Sequence, residues 1–230
     1  MECISPTSAD LALPLSQELR QQFARDAYVI CPGVLRAEHA HELREKARAL
    51  VERHARRIEQ QSSSREHVLR YRVVTGDIVR AEWPELFAIY ESAELRGWVA
   101  GMAGVATMFN SSQLRSAINI NALGKPGEVY RWHFDAAGLT LLLYLSDSTE
   151  ADGGALEMRP PGSDKERLAE AAVQQMLPTS GTVVLMDGTR CMHRASPVLR
   201  QHERISIPMV FTPTPDHDRP AGLDDYLYRS

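Results

Sequence analysis

The second half of the sequence consists of short runs of strand-forming residues, and most of these runs end at a cluster of glycine or proline. From about residue 104 onward, residues 116–121 and 204–211 alternate between apolar and polar side chains, as a strand with one buried face does. Residues 139–145 and 182–186 are continuous apolar runs of strand length. Many short strands separated by turns are typical of a β-sandwich or barrel, and the sequence therefore predicts such a core.

The first hundred residues have a mainly helical character. Residues 15–61 are predicted to be mostly helix, including a long helix over 38–60 and interrupted by a short β-type run at 28–30. A short strand is expected around 69–74, and apolar residues at helical spacing predict a further helix over about 85–102.

The length of 230 residues suits one compact domain, and we predict a single domain over residues 1–230. Within it, about 1–103 is expected to form a helical support and lid region. Residues 104–212 are expected to form the β core, and 213–230 a C-terminal tail. The predicted class is thus mainly β with helices, the N-terminal helices bracing a C-terminal β core.

Composition argues against several classes of protein. A formal net charge of −4 gives no broad electrostatic attraction to nucleic acid or to an anionic membrane, and no apolar stretch is long enough to cross a bilayer. The N-terminus lacks the basic region of a secretory signal, and Cys3, Cys31 and Cys191 form no CxxC pair. A cytoplasmic protein with a small-molecule partner is expected, whereas the oligomeric state is left open.

Three residues form a candidate metal site. His133 and Asp135 are two positions apart, so in an extended chain both side chains project from the same side. His193 follows far along the chain but can lie adjacent across a sheet. Two imidazoles and one carboxylate form a facial triad that leaves open positions on an octahedral iron(II) ion. Taken without His193, the pair is better read as a hydrogen-bonded core histidine and a turn aspartate.

A candidate anion site lies downstream of the triad. Arg204 and Ser206 share one face of a predicted strand, opposite Ile205 and Ile207. An inward guanidinium needs an anionic partner, and its fork matches a carboxylate, to which Ser206 can add a hydroxyl donor. A structural ion pair with an acidic residue such as Glu157 or Asp187 would also satisfy Arg204, so both interpretations stay open at this point.

The order and spacing of these segments resemble the Fe(II)/2-oxoglutarate-dependent dioxygenases over roughly residues 115–212. The matching segments are Tyr130–Asp135, Leu139–Leu145, Gly153–Glu157, Gly181–Met186, His193–Val198 and Arg204–Ser206. Residues 23–30 also resemble the start of phytanoyl-CoA-hydroxylase-like members. The WHFD segment, followed by a hairpin with two glycines, is similar to a branch that acts on free amino acids and related small molecules.

The resemblance implies a double-stranded β-helix, or jelly roll, that uses iron(II), 2-oxoglutarate and O₂. It implies His133, Asp135 and His193 as iron ligands and Arg204, assisted by Ser206, as the partner of the distal 2-oxoglutarate carboxylate. It also places polar residues on the strand before the first ligand pair, where Asn119 and Asn121 stand and could bind co-substrate. These asparagines are equally compatible with ordinary strand-edge polarity.

The resemblance also bears on the reaction and the substrate. Halogenating relatives have a small residue where Asp135 stands, so we expect hydroxylation, or another oxidation such as desaturation, rather than chlorination. A free amino acid or an amino-acid-derived metabolite is the expected substrate, and a carrier-bound or larger metabolite is the alternative. The candidate substrate-binding residues are Arg70, Arg72, Thr75 and Arg131. Taken singly, Arg70 and Arg72 are better read as surface cations.

Two other classes compete with this interpretation. A cupin-like metal enzyme would share the jelly roll without using 2-oxoglutarate, but cupins usually supply more histidines near the first ligand pair. A non-catalytic binding protein could keep the fold, yet it has no need to retain the three ligand types together with Arg204. Both alternatives predict that iron and 2-oxoglutarate do not bind together.

Overall fold

Residues 11–60, 69–136, 138–159, 161 and 172–215 are described by the structure, a computed structural model. Six helices occur in this part of the chain: α1 (Gln17–Asp26), α2 (Ala37–His54), α3 (Gly76–Glu82), α4 (Pro84–Tyr90), α5 (Ala93–Ala103) and α6 (Leu114–Ala117). The hydroxyl groups of Ser16 and Ser92 cap α1 and α5 by accepting hydrogen bonds from free backbone N–H groups of the first turn. No helix of the described residues is long and apolar enough to cross a membrane.

Twelve strands form two sheets in the same described ranges. The strands are β1 (Tyr28–Cys31), β2 (Arg56–Gln60), β3 (Leu69–Val74), β4 (Phe109–Asn110), β5 (Ile120–Leu123), β6 (Tyr130–His133), β7 (Leu139–Tyr144), β8 (Leu156–Arg159), β9 (Gln174–Met176), β10 (Val183–Met186), β11 (Met192–Ala195) and β12 (Arg204–Thr212). The major sheet has the order β1-β10-β7-β12-β5-β3-β2, with β4 also paired to β12, and the minor sheet has the order β6-β11-β8-β9. All pairings are antiparallel, and the fold is the jelly roll expected from the sequence.

The two faces of the major sheet have different environments. On β12, Ile205 and Ile207 belong to the main apolar core together with the buried side chains of α2, α4 and α5. Arg204 and Ser206 alternate with them and line a cavity between the two sheets. The predicted division of this strand into an apolar and a polar face is therefore confirmed.

Three sequence-based boundaries are wrong. The long helix ends at His54, and Arg56–Gln60 forms β2, in which only Ile58 is buried. The helical stretch at 85–102 is two helices, because Glu91 ends α4 and Ser92 caps α5. Residues 116–119 are not strand throughout, since α6 extends to Ala117. The N-terminal part therefore adds β1, β2 and β3 to the sheet as well as helices. Beyond residue 215, the predicted tail lies outside the described residues.

Candidate metal and co-substrate site

The three predicted metal ligands converge at one end of the cavity. His133 at the end of β6 is the direct cross-strand partner of His193 on β11, and their ring centroids lie 4.1 Å apart. Asp135 follows β6, and its Oδ1 lies 3.5 Å from His133 Nε2 and 3.8 Å from His193 Nε2. One ligand atom from each residue lies within 4.8 Å of the others, a spacing compatible with a single ion. Two imidazole nitrogens and a carboxylate oxygen are a donor set that suits iron(II).

Backbone carbonyl groups fix the orientation of both imidazoles. His133 Nδ1 lies 2.9 Å from the Arg131 carbonyl oxygen, and His193 Nδ1 lies 3.0 Å from the Cys191 carbonyl oxygen. A carbonyl oxygen only accepts hydrogen bonds, so each Nδ1 carries the proton and donates. Each Nε2 then keeps its lone pair on the side of Asp135, where a metal would bind.

A register shift in the minor sheet brings aromatic side chains to the site. The pairing moves from His193 opposite His133 to Ala195 opposite Tyr130, so β6 carries an additional residue here. Tyr130 consequently lies 4.8 Å, ring to ring, from His133. The Trp132 ring instead contacts Arg159 and Arg194, with ring-to-guanidinium distances of 4.4 and 4.8 Å.

The two carboxylate oxygens of Asp135 have different partners. Oδ1 is directed toward the imidazoles, whereas Oδ2 accepts a 2.7 Å hydrogen bond from the Thr140 hydroxyl on β7. The Asp135 backbone N–H donates to the carbonyl oxygen of Gly188, in the turn after β10, at 2.8 Å. A Cβ atom at Gly188 would lie 2.1 Å from Oδ2, so only glycine leaves room for the carboxylate.

The electrostatic environment keeps His193 and Asp135 in their metal-binding forms. Burial lowers the pKa of His193 to about 4, so this imidazole is neutral at neutral pH. Burial opposes ionisation of Asp135, but the neighbouring histidines and the Thr140 hydrogen bond outweigh it and hold the Asp135 pKa well below its usual value. A neutral imidazole and an ionised carboxylate are the states that bind a metal ion.

Arg204 lies in the interior of the cavity with unused hydrogen-bonding capacity. The residue is only 4% exposed, its Nε donates to the Gly154 carbonyl oxygen at 2.6 Å, and its Nη2 lies 3.4 Å from the Tyr144 hydroxyl. Burial raises the pKa of Tyr144, although the nearby guanidinium opposes that shift, so the phenol stays protonated. The structural ion pairs considered from the sequence do not form, because Glu157 binds Arg194 and Asp187 lies in the turn beside Arg190.

The polar residues expected beside the co-substrate line the same cavity. Ser206 is buried and lies opposite Tyr144 on β7 and Asn121 on β5. The Asn119 amide donates to the Arg115 carbonyl oxygen at 2.6 Å, which ties the strand to α6. Asn121 Oδ1 is buried and has no hydrogen-bond partner among the described residues.

The candidate substrate-binding residues separate into two groups. Arg131 lines the cavity, whereas Arg70, Arg72 and Thr75 are not among the residues that form its wall. On β3 the alternate residues Leu69 and Tyr71 face the cavity instead. Arg70 pairs with Glu59 at 3.3 Å on the neighbouring strand. The Thr75 hydroxyl bonds the Asp77 side chain at the start of α3.

The cavity has a volume of about 240 Å³ and an aromatic wall that sequence reasoning did not find. Tyr71 and Tyr130 are in tilted contact at 4.9 Å, and Phe134 lies beside the ligands. The tyrosines come from different sheets, so no local sequence pattern connects them. The sequence feature that could have indicated Tyr71 is its position in the middle of the strand predicted at 69–74.

The fold of this chain is similar to that of several solved enzymes. The structure resembles the non-haem α-ketoglutarate-dependent epimerase SnoN from nogalamycin biosynthesis, with a TM-score of 0.68, 17% identity and coverage of 85% of this chain and 81% of SnoN. The carbocyclase SnoK from the same biosynthesis has a TM-score of 0.68 and 21% identity, with coverage of 96% of this chain and 92% of SnoK. A prolyl 4-hydroxylase from Pseudomonas putida has a TM-score of 0.61 and 18% identity, with coverage of 85% of this chain and 97% of the hydroxylase. These likenesses show that the chain has the same jelly-roll fold as these enzymes.

The family follows from the sequence itself. The profile described as HalD, Halogenase D, matches residues 13–226, nearly the whole chain, and the chain belongs to this family. No curated protein matches the sequence significantly. The cofactors expected from the sequence, iron and 2-oxoglutarate, agree with the donor set of the triad, and a structure of SnoN contains Fe3+ and α-ketoglutarate.

Proposed function

We propose that the protein hydroxylates a small molecule with iron(II), 2-oxoglutarate and O₂. The observation that carries the proposal is the convergence of His133, Asp135 and His193 on a cavity that also contains Arg204. This arginine is buried and pairs with no carboxylate of the described residues. A metal triad alone would fit a cupin-like enzyme. The additional guanidinium, with Ser206 on the same strand face, is a receptor for a second carboxylate inside the same cavity.

Each residue has a distinct role in this proposal. His133, Asp135 and His193 hold the iron, and Arg204 binds the distal carboxylate of 2-oxoglutarate with help from Ser206. The Tyr144 hydroxyl lies within reach of Arg204 and restrains the guanidinium. Asn119, just before β5, and Asn121 on β5 extend the polar surface beside the co-substrate. When bound together, iron and 2-oxoglutarate supply the O₂-dependent oxidation of an unreactive C–H bond.

Asp135 favours oxygenation over halogenation, despite the name of the family. Halogenating relatives have a small residue at this position, which leaves room for a halide. Here a carboxylate occupies it, with Oδ1 directed toward both Nε2 atoms and Oδ2 held by Thr140. A halide would have to displace this anchored and ionised group. We therefore expect the protein to oxygenate its substrate in the presence of chloride.

The size of the cavity favours a small substrate. A volume of about 240 Å³ accommodates a metabolite of amino-acid size together with 2-oxoglutarate. A free amino acid or an amino-acid-derived intermediate is the proposed substrate. Desaturation, or another oxidation of a carrier-bound metabolite that places one short arm in the cavity, is the second candidate. The second candidate is supported by structural relatives that catalyse reactions other than hydroxylation, namely an epimerase and a carbocyclase.

Succinate formation tests the proposed activity. The purified protein is incubated with iron(II), ascorbate, 2-oxoglutarate, chloride and single compounds from a panel of amino acids and small metabolites. A substrate should stimulate succinate production and gain one oxygen atom by mass spectrometry, and His133→Ala should abolish both signals. A chlorinated product would contradict the assignment to Asp135, and failure to consume 2-oxoglutarate would contradict the activity itself.

A further inference from the structure

The Arg204 guanidinium is held by the turn between β7 and β8, residues 145–155. Arg204 Nε donates to the carbonyl oxygen of Gly154 at 2.6 Å, and a Cβ atom on Gly154 would lie 3.0 Å from Arg204 Cδ. The pairing of β12 with β7 begins only at Ser206, which lies opposite Tyr144. On the β7 side, the start of β12 is therefore held by contacts with the β7–β8 turn.

A buried carboxylate lies inside this turn. Asp152 is 5% exposed, and its Oδ2 accepts hydrogen bonds from the backbone N–H and the hydroxyl of Thr149, at 2.8 and 2.6 Å. These bonds and the Arg200 guanidinium hold the pKa of Asp152 well below its usual value, so the side chain is charged at neutral pH. A buried charge is unfavourable unless it is paired, and the partners of Oδ1 therefore show what the carboxylate holds in place.

The second oxygen of Asp152 connects the turn to the loop that leads into β12, residues 196–203, here called the entry loop. Oδ1 accepts a 2.5 Å hydrogen bond from Arg200 Nε and lies 3.8 Å from His202 Nδ1. The Asp152 carbonyl oxygen accepts from the Leu199 N–H at 2.8 Å. The Ser148 hydroxyl of the same turn lies 2.9 Å from His202 Nε2. The turn and the entry loop are thus joined at several points immediately before β12.

The two groups of the Arg204–Gly154 hydrogen bond lie on opposite sides of this connection. Gly154 follows Asp152 by two residues in the turn, and Arg204 follows His202 by two residues at the end of the entry loop. A carboxylate that joins the two segments also fixes the donor relative to its acceptor. We propose that Asp152 is a positioning residue for the co-substrate, acting through the Arg204 guanidinium, an inference that rests on the proposed function.

A fixed guanidinium has a consequence for the choice of co-substrate. In the proposed function, 2-oxoglutarate is held at its keto-acid end by the metal and at its distal carboxylate by Arg204. Two fixed ends select one chain length, so 2-oxoadipate, which is longer by one methylene group, should bind more weakly. If Arg204 loses its restraint, the guanidinium can adjust to either acid, and the difference between the two Kd values should decrease.

Binding of the co-substrate by Asp152→Asn tests the proposal. The amide keeps the size of the side chain but removes the charge that pairs with Arg200. Anaerobic absorption of the iron complex should show a Kd for 2-oxoglutarate raised about 3- to 30-fold, with a smaller rise for 2-oxoadipate. Iron(II) affinity should stay within about twofold of the wild type. Asp147→Asn is the matched control, because Asp147 lies in the same turn but accepts from the Ser180 N–H, outside the entry loop.

Combination with Arg204→Gln distinguishes positioning from a general structural effect. If Asp152 acts through the guanidinium, Asp152→Asn should change the Kd of 2-oxoglutarate by less than about twofold once Arg204→Gln is present. Arg200→Gln is a second variant that breaks the connection from its exposed side, since the Arg200 side chain is 61% exposed. It should raise the same Kd by about threefold and leave the circular dichroism spectrum unchanged, even if Asp152→Asn does not fold.

The outcomes separate this inference from the proposed function. A wild-type protein that forms no iron–2-oxoglutarate complex contradicts the proposed function itself. If the complex forms, and a folded Asp152→Asn or Arg200→Gln variant binds 2-oxoglutarate as tightly as the wild type, Asp152 is not a positioning residue. The inference is also overturned if Asp152→Asn has the same effect with and without Arg204, or if Asp147→Asn raises the Kd equally.

Discussion

Asp135 illustrates how single atoms define the candidate metal site. One carboxylate oxygen is directed to the two imidazoles and the other is occupied by the Thr140 hydroxyl. Because Oδ2 already accepts a hydrogen bond, the carboxylate presents one oxygen to a metal rather than two. That arrangement leaves more positions on the ion for a chelating co-substrate and O₂. Thr140 therefore acts as a positioning residue through Asp135.

Replacing Thr140 should weaken the metal site without changing its ligands. We expect Thr140→Val to lower iron(II) affinity by about 10-fold, since loss of a hydrogen bond to a ligand typically costs 10- to 100-fold. Thr140→Ser keeps the hydroxyl and should retain most of the affinity. Anaerobic titration with iron(II) or cobalt(II) measures both variants. Wild-type affinity in Thr140→Val would show that Asp135 needs no such restraint.

Replacing Arg204 should weaken binding of the co-substrate and leave metal binding unchanged. We expect Arg204→Gln to raise the Kd of 2-oxoglutarate at least 10-fold, because a buried charge-assisted pair is replaced by a neutral contact. Iron affinity should stay within twofold of the wild type. Arg56→Gln, an exposed change on β2, is the control. Equal loss of iron and 2-oxoglutarate binding would indicate a structural role for Arg204 instead.

At the level of elements, the turn between β10 and β11 brings the backbone against Asp135. A Cβ at Gly188 would overlap the Asp135 carboxylate, whereas a Cβ at Gly97 on α5 would meet no atom within 4 Å. Gly188→Ala should therefore reduce iron affinity by at least 10-fold while the protein stays folded, because the carboxylate is displaced. Gly97→Ala should leave iron binding unchanged. Circular dichroism and metal titration of the pair distinguish loss of the site from loss of the fold.

Strand alternation explains which site residues could be predicted from sequence. On β12, apolar and polar residues alternate clearly, so the inward direction of Arg204 and Ser206 followed from the pattern. On β3, Leu69, Tyr71 and Val73 alternate with Arg70 and Arg72, so the pattern favoured an inward Tyr71 over the two arginines that were expected at the site. The pairing of β3 with β2 and β5 fixes which face of the strand is directed inward, and Tyr71 lies in the cavity wall.

The remaining features depend on contacts between distant parts of the chain. The Thr140–Asp135 bond joins the major sheet to the loop after β6, and the Arg204–Tyr144 contact joins β12 to β7. The register shift between β6 and β11 has no local signature, although it brings Tyr130 beside His133. Side-chain type and spacing predict the ligands, but only the assembled sheets define what restrains them.

For the whole molecule, a metal at this site would connect several separate segments. His133 and His193 come from the minor sheet, and Asp135 is bonded to Thr140 of the major sheet and to the turn at Gly188. A ligand that binds only the folded state stabilises it by mass action. Metal at 100 times its Kd should raise the free energy of unfolding by about 2.7 kcal/mol.

This stabilisation should be visible as a change in thermal unfolding. For a chain of this length, about 2.7 kcal/mol corresponds to an increase in Tm of roughly 5–10 °C. Manganese(II) can replace iron(II) in the measurement to avoid oxidation. His193→Ala should remove the increase, because one of the ligands is lost. A Tm that does not respond to the metal in the wild type, or that responds equally in the variant, would contradict a metal site at these residues.

The central claim is that one cavity binds iron through the triad and 2-oxoglutarate through Arg204. Anaerobic absorption spectroscopy tests it most directly, because a weak visible charge-transfer band requires 2-oxoglutarate to coordinate protein-bound iron(II). We predict a band in the wild type that appears only when both iron and 2-oxoglutarate are present. The band should be absent in His133→Ala, and in Arg204→Gln it should need a higher concentration of 2-oxoglutarate. Iron binding without a band at saturating 2-oxoglutarate, or a full band in His133→Ala, would contradict the claim.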